Sequence, residues 1–452
     1  MSHAELDRKI ALPLPLGLNV RLSIMFFLQY AIWGAWLTLL LPYLGGHRHF
    51  EPSQIANIFA VGALGNILAP FLAGQIADRY FSTERYLAIS HWIGAVLIWQ
   101  LAQLETYTSF LWFSLAYSVV YSPTLSLTNS LAFHHLPDRD RHFGRVRVWG
   151  TIGWICAGIA VAQWLRIHYT PADAVTEIEK ATAQSAGIGD AFRLSAILGA
   201  IMGTYCFFLP HTPPQRGQQK FATWEARGEV QRNSRLLGLF LFAIVISCIH
   251  QFYFYHTANF LRPFQNAAGD SAAMKAINTV FGLGGGGLMT IGQMSELVIL
   301  ALMPLLISRF SRKAFMAVGI TAYAVRMGLF AYVNQITSAT DVSPLVPLVI
   351  GLTMHGLCFG CFMFVAYLVI DEETTSDVRA SAQGLLNLVI FGLGIIVGSM
   401  IAAIIQEWAT ATVGAEQVID YTKLFGVPMW ASLLTLVAFW FLYPGKKMQN
   451  SK

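Results

Sequence analysis

Twelve apolar stretches, each about as long as a bilayer is thick, decide most of what this chain can become. They lie at roughly 20–43, 55–77, 86–104, 109–131, 146–165 and 188–209, then 236–260, 286–307, 313–334, 344–369, 379–404 and 423–443. A helix needs about 20 mainly apolar residues to cross the hydrocarbon core. Backbone in lipid must satisfy its own hydrogen bonds, which leaves helices or a closed barrel. Strand-length alternation is absent from these stretches. The expectation is an all-α membrane protein of twelve transmembrane helices. Charged residues make up only 12% of the 452, against about 25% in a typical soluble chain. A soluble multidomain enzyme and a disordered chain are both excluded on that ground.

Lysine and arginine set the orientation. The segments on the side of the two termini hold 21 of the 29; the opposite segments hold 7, and Arg326 falls inside a span. Both termini are therefore expected in the cytoplasm. The first 17 residues lack a long apolar core and a small-residue cleavage site, so they do not read as a secretory signal. The net charge of +5 is spread over many short loops. No concentrated basic face emerges, and nucleic acid is not an expected partner. Cys156, Cys206, Cys248, Cys358 and Cys361 all sit in apolar sequence. Cys358 and Cys361 have C-x-x-C spacing, but no second pair or histidine set accompanies them. They read as packing residues, and neither a metal nor a cofactor is expected.

The longest segment on the terminal side runs from 211 to 235 and holds Pro213-Pro214, glutamines and five basic residues. It reads as a cytoplasmic linker between residues 1–210 and 236–452, six spans each. The segment at about 166–187 is polar and reads as a surface loop, with room for a short helix. Arg145-Val-Arg-Val-Trp-Gly150 and Arg379-Ala-Ser-Ala-Gln-Gly384 both read R-x-x-x-x-G at the entry to a span, with acidic residues before them. Twelve spans in two pseudo-symmetric halves resemble a transporter of the major facilitator type. In that architecture substrate binds near the midplane between the halves, and rocking alternates access. After the second span, Gly74-Gln-Ile-Ala-Asp78-Arg79 resembles the loop motif of that superfamily. Asp78, Arg79, Arg145 and Arg379 are the expected gate charges, with a solvated charged loop as the plainer alternative for the first pair. Ser308-Arg-Phe-Ser-Arg-Lys313 in the second half keeps basic charge but lacks the glycine and aspartate.

An ionisable residue at membrane depth is costly and is a functional candidate by default. Glu296 lies about ten residues into the eighth span, with Gln293 on the same helix face. They could contact a polar ligand, or Glu296 could be paired internally for packing. Arg326 needs a counter-charge or several carbonyls; a structural role is preferred, with Glu296 as one available partner. Arg147, Thr151 and Trp154 form a stripe early in the fifth span. The stripe suits a ring-bearing, hydroxyl-rich solute, though Arg147 could equally be a gate charge. The seventh span carries Ser247, His250, Gln251, Tyr253, Tyr255 and His256, with Gln251 the best cavity candidate. His355 and Phe359 share a face of the tenth span. Gln29, Tyr30, Trp33 and Trp36 make a polar-aromatic face in the first span, or plain core. Pro123, Thr124, Thr128 and Asn129 mark a kinked, polar fourth span. Amides, hydroxyls, rings and one carboxylate favour a neutral polar ring compound. A phosphate would call for several convergent cations.

These residues resemble the nucleoside:H+ symporter family of the major facilitator superfamily. The likeness rests on Gln29-Tyr-Ala-Ile-Trp-Gly-Ala-Trp36, the Gly74–Arg79 loop, Tyr121-Ser-Pro-Thr-Leu-Ser-Leu-Thr-Asn129 and Arg145-Val-Arg-Val-Trp-Gly-Thr-Ile-Gly-Trp154. It continues in Gly292-Gln-Met-Ser-Glu296 and Arg379 to Gly384. The resemblance implies nucleoside in the central cavity, lined by Arg147, Thr151, Trp154, Gln251, Gln293, Glu296, His355 and Phe359. It implies proton symport, import across a bacterial inner membrane and no enzymatic activity. The expected partners are nucleoside, protons and the lipid bilayer, for a chain acting as a monomer. Two positions depart from the family pattern. Gly360 stands where members often carry aspartate, and Phe254 replaces an asparagine. Glu296 is then the one carboxylate near the midplane and the candidate proton site. A sugar or other polar solute is the alternative substrate, and a non-translocating receptor the alternative class.

Overall fold

The computed structural model describes residues 13–72, 81–170, 176–213, 222–267, 272–307, 309–413 and 416–445. The expected loop motif residues Gly74, Asp78 and Arg79 lie outside them. Twelve long helices are described. They are α1 (Leu16–Gly34, continued through a short turn to Gly46), α2 (Pro52–Leu72), α3 (Thr83–Leu101), α4 (Tyr107–His135), α5 (Arg139–His168) and α6 (Gly189–Tyr205). The second set is α7 (Ser234–Asn266), α8 (Gly286–Leu306), α9 (Arg312–Ala331), α10 (Leu345–Glu373), α11 (Ser376–Ala409) and α12 (Tyr421–Leu442). Eleven are long and apolar enough to cross a membrane; α3, which opens on Glu84 and Arg85, is the exception. It nonetheless packs between α4 and α6. Large apolar side chains such as Trp112, Ile197, Ile404 and Phe441 point outward and form a belt for lipid.

Local chemistry fixes where several helices start. Thr106, Asp138, Asn233, Ser311 and Asp420 each cap a free backbone N–H at a helix start. Thr176 and Glu179 form a reciprocal capping box that opens a helix at Glu177–Gly187. The polar loop at 166–187 thus contains a helix of three turns. Within 211–235, residues Ala222–Arg232 are also helical. Among the described residues there is one departure from an all-α chain, a hairpin pairing Thr410–Val413 with Glu416–Ile419 between α11 and α12. It is too short to span lipid and joins two helix ends.

The two sets of six meet most tightly on the face away from the termini. There Leu283 N–H donates to the Ala162 carbonyl at 3.0 Å. Gln163 donates to the Thr279 and Val280 carbonyls at 2.7 and 2.9 Å. Arg262 bonds Ser185 Oγ at 2.9 Å and the Ala181 carbonyl, and Gln184 reaches Asn266 at 3.0 Å. Gly282, Gly284 and Gly285 make this closure possible. All three have positive φ, and a Cβ on Gly284 would meet Leu165 at 2.8 Å. Deeper in, Asn66 donates to the Phe391 carbonyl at 3.1 Å, joining α2 to α11. On the terminal face, Glu84 at the start of α3 accepts from Thr212 N–H at 2.9 Å and contacts His211 at 2.7 Å. Burial pushes this carboxyl up, but the hydrogen bonds outweigh it and hold it below the usual range.

Candidate functional site

Glycines bring α1 and α5 into close approach, and that approach builds the first wall of the site. A Cβ on Gly153 would lie 2.9 Å from the Phe27 carbonyl carbon, and one on Gly34 would lie 2.7 Å from Trp154 Cα. The two backbones therefore touch. Arg147 lies with its guanidinium 4.0 Å from the Tyr30 ring centroid, a cation–π contact. Gly150 leaves the room for it, since a Cβ there would sit 2.7 Å from the Tyr30 ring. Trp154 meets Trp33 edge-to-face at 5.5 Å and Phe254 at 6.4 Å. Phe254, where the family pattern has asparagine, thus joins an aromatic cluster spanning both halves.

The second wall is made by α8 and α10. Ser295 Oγ accepts the Gly356 N–H at 2.9 Å, and a Cβ on Gly292 would meet His355 at 3.0 Å. Just beyond, Cys358–Phe364 forms a wide π-type turn, a distortion common at functional sites. His355 is buried and its Nε2 stands 3.7 Å from Glu296 Oε2. Its ring stacks on Phe359 at 6.5 Å, so the predicted pair on α10 does share one face. Gln293 is buried, and its Oε1 lacks a hydrogen-bond partner among the described residues. α5 packs beside α8 across the interface, so Arg147 and Glu296 sit on facing helices of the two halves.

Gln251 has a partner outside this group. It donates to Ser399 Oγ on α11 at 3.0 Å. It also lines a cavity with Asn66, Tyr117, Tyr121, Trp33 and Phe254. Of the eight expected ligand residues, Gln251 alone borders that cavity. Trp33 and Phe254, which border it too, are the rings that touch Trp154. A further buried network fills the first half. Gln29 donates to Thr124 at 2.8 Å, and its oxygen accepts from His91 at 2.9 Å.

Arg326 is fully buried and reaches His355 Nδ1 at 3.2 Å. His355 stands between it and Glu296, so the direct pair considered from sequence is replaced by a three-residue chain. Tyr253 and Tyr323 face the guanidinium at 4.0 and 5.0 Å. Tyr323 and Ser399 were not singled out from sequence. Tyr323 had a signal, since it lies three residues before Arg326 on one helix face; Ser399 had none. Of the expected gate charges, Arg145 is exposed. Arg379 pairs with Asp371 at 3.0 Å within the second half, both well exposed.

At Gly360 the structure explains the missing carboxylate. A Cβ there would lie 2.6 Å from Ile299 Cγ2 on α8. The position is occupied by helix contact and leaves no space for an aspartate without repacking.

Residues 16–448 match the family described as Nucleoside H+ symporter. The chain belongs to the nucleoside H+ symporter family. YegT of Escherichia coli, a putative nucleoside transporter by its description, is 31% identical over 392 residues, 86% of this chain and 84% of that protein. Nucleoside permease NupG of Escherichia coli is 28% identical over 404 residues, 87% and 89% of the two chains. A crystal structure of nucleoside transporter NupG superposes with a TM-score of 0.79 at 25% identity, covering 94% of this chain and all of the other. Family membership makes the protein a nucleoside transporter coupled to protons, with the major facilitator fold, and not an enzyme. The likeness in fold extends to a bacterial homologue of the lysosomal transporter Spinster, TM-score 0.67 at 15% identity.

Proposed function

We propose that this chain imports nucleosides across a bacterial inner membrane with both termini in the cytoplasm, and that Glu296 is where the proton binds. Arg147, Thr151, Trp154, Gln251, Gln293, Glu296, His355 and Phe359 contact the nucleoside. Rings of Trp154 and Phe359 stack on the base, while the amides and Glu296 take ribose hydroxyls. The observation that carries this reading is the position of Glu296, 3.7 Å from His355 in its own half and on the helix that packs against α5, which carries Arg147, from the other. A carboxylate held between the halves feels any rocking of one against the other. Protonation from outside cancels its charge and releases Arg147 to the substrate. Closure around nucleoside then carries both across, and the proton leaves on the cytoplasmic side.

The closed far face described above supports an inward-facing state for this arrangement. Asp78, Arg79, Arg145 and Arg379 are the charges that hold the cytoplasmic side shut in the alternate state. The protein acts as a monomer, with the 211–235 segment tethering residues 1–210 to 236–452.

Purified protein in liposomes, given labelled uridine or adenosine under an inward proton gradient, tests the reading. Accumulation that collapses with a protonophore supports it. Equilibration indifferent to the gradient refutes proton coupling. No uptake of either nucleoside, where a control carrier works, refutes the substrate class and promotes sugars.

A further inference from the structure

The proposal that Glu296 couples transport leaves a fully buried arginine unexplained. Arg326 is 0% exposed, yet its Nε and Nη2 lack hydrogen-bond partners among the described residues. Its surroundings are rings: Tyr253 at 4.0 Å, Tyr323 at 5.0 Å and the His355 imidazole. An arginine held at that cost without a carboxylate touching it is not there for a simple ion pair.

We infer that Arg326 is a positioning residue that holds His355 in one neutral tautomer and so aims a proton donor at Glu296; the inference rests on Glu296 being the coupling site. Arginine has only donors. Its contact with His355 Nδ1 at 3.2 Å therefore requires a lone pair on that nitrogen. The ring proton must sit on Nε2, the atom that faces Glu296 Oε2 at 3.7 Å. An imidazolium would carry protons on both nitrogens and could not accept from the guanidinium. Arg326 thus keeps His355 neutral and its Nε2–H directed at the carboxylate.

The ring cannot easily turn away. His250 stacks on it at 5.5 Å and Tyr253 at 5.3 Å, with interplanar angles of 26° and 25°. His250 is itself fixed through Nδ1 to the Tyr323 hydroxyl at 2.7 Å. The titratable and charged groups around the chain are His250 and Tyr253 from α7, Tyr323 from α9, Cys358 from α10 and Arg147 from α5. Between them His355 contacts Arg326 at 3.2 Å and stands 3.7 Å from Glu296. When Glu296 is ionised, its charge draws the Nε2–H of His355, which stands 3.7 Å away and needs an approach of about 0.5 Å to donate. When Glu296 takes a proton, the same N–H is free for a nucleoside oxygen. The swap couples the two ligands.

Arg326→Met keeps the volume and removes the donor and the charge. The variant should lose proton-driven accumulation while still exchanging internal for external nucleoside. Its pH profile of uptake should change as well, because the ring tautomer that faces Glu296 is no longer fixed. Arg326→Lys should restore accumulation in part. Met with wild-type accumulation and pH profile overturns the proposal. Should Met fail to fold, His355→Gln and His355→Asn decide instead. Both changes lower uptake, since His355 also contacts nucleoside, but glutamine places an amide N–H near the Nε2 position and should accumulate more than asparagine, which places it near Nδ1, against Arg326. Equal behaviour of the two overturns the proposal. Glu296→Gln in the same liposomes separates the levels. If it still concentrates nucleoside, the coupling site itself is wrong. If it does not, and Arg326→Met behaves as wild type, only the role of Arg326 is wrong.

Discussion

Replacing Gly153 by alanine tests whether the approach of α1 to α5 shapes the site. The new Cβ would press first on the Phe27 carbonyl oxygen and would lie 2.9 Å from its carbonyl carbon and 3.0 Å from Phe27 Cα. Carbon atoms rest at about 3.5–4.0 Å, so the helices must part by about 1 Å. The atoms in the way are backbone, which no rotamer change can clear. Overpacking of this kind costs about 1–3 kcal/mol. Because Arg147, Thr151 and Trp154 ride on α5, the shift also moves one wall of the site, and misplacement near 1 Å can cost about 100-fold in activity. Gly144→Ala on the same helix is the control, since a methyl group there would meet nothing within 4 Å. That change should be neutral or stabilising by up to about 1 kcal/mol. The assays are thermal unfolding in detergent and initial uptake rate in liposomes. If Gly153→Ala matches Gly144→Ala in both, the close approach does not govern the site.

Other outcomes follow from the same geometry. Gly360→Asp should destabilise the protein by about 1–3 kcal/mol through its clash with Ile299, and adding Ile299→Ala should restore the melting temperature. Gln163→Leu removes two hydrogen bonds from the closed far face, each worth about 1 kcal/mol net. Spin labels at Glu51 and Lys275 should then report a larger outward-open fraction, and an unchanged distance distribution would count against that closure. Glu84 lies beyond the apolar stretch of α3, and its folded carboxyl is held below its unfolded value. Its contribution is therefore complete above the unfolded value of about 4 and is lost as pH falls through the lower folded one. Protection of the Thr212 amide, its exchange relative to the intrinsic rate at the same pH, should fall over that window, and in Glu84→Leu it should already be lost at neutral pH.

The spans were legible because lipid imposes length and apolarity, which are one-dimensional properties. α3 shows that signal at its weakest: its stretch at 86–104 is readable as a span although Glu84 and Arg85 open the helix, and packing between α4 and α6 holds it. The hairpin at 410–419 escaped notice because its four-residue strands are shorter than any alternation that stands out. Within the site, residues on one helix face were readable from spacing alone, as with Gln293 and Glu296 or His355 and Phe359. Contacts between distant helices were not. Nothing in the sequence said that His355 would stand between Arg326 and Glu296, or that Gln251 would bond Ser399 beside a cavity shared with Trp33 and Phe254. The glycines of Gly150-Thr-Ile-Gly153 were visible as a motif, but their purpose needed the backbone of α1 beside them.

Transport as proposed turns on one carboxylate, Glu296, carrying the proton that moves with nucleoside. Proton movement can be read directly in lightly buffered liposomes with a pH dye inside, on adding uridine or adenosine outside. Internal acidification is expected with the wild-type protein and none with Glu296→Gln, while that variant still exchanges labelled nucleoside. Acidification that persists in Glu296→Gln would contradict the role given to this residue.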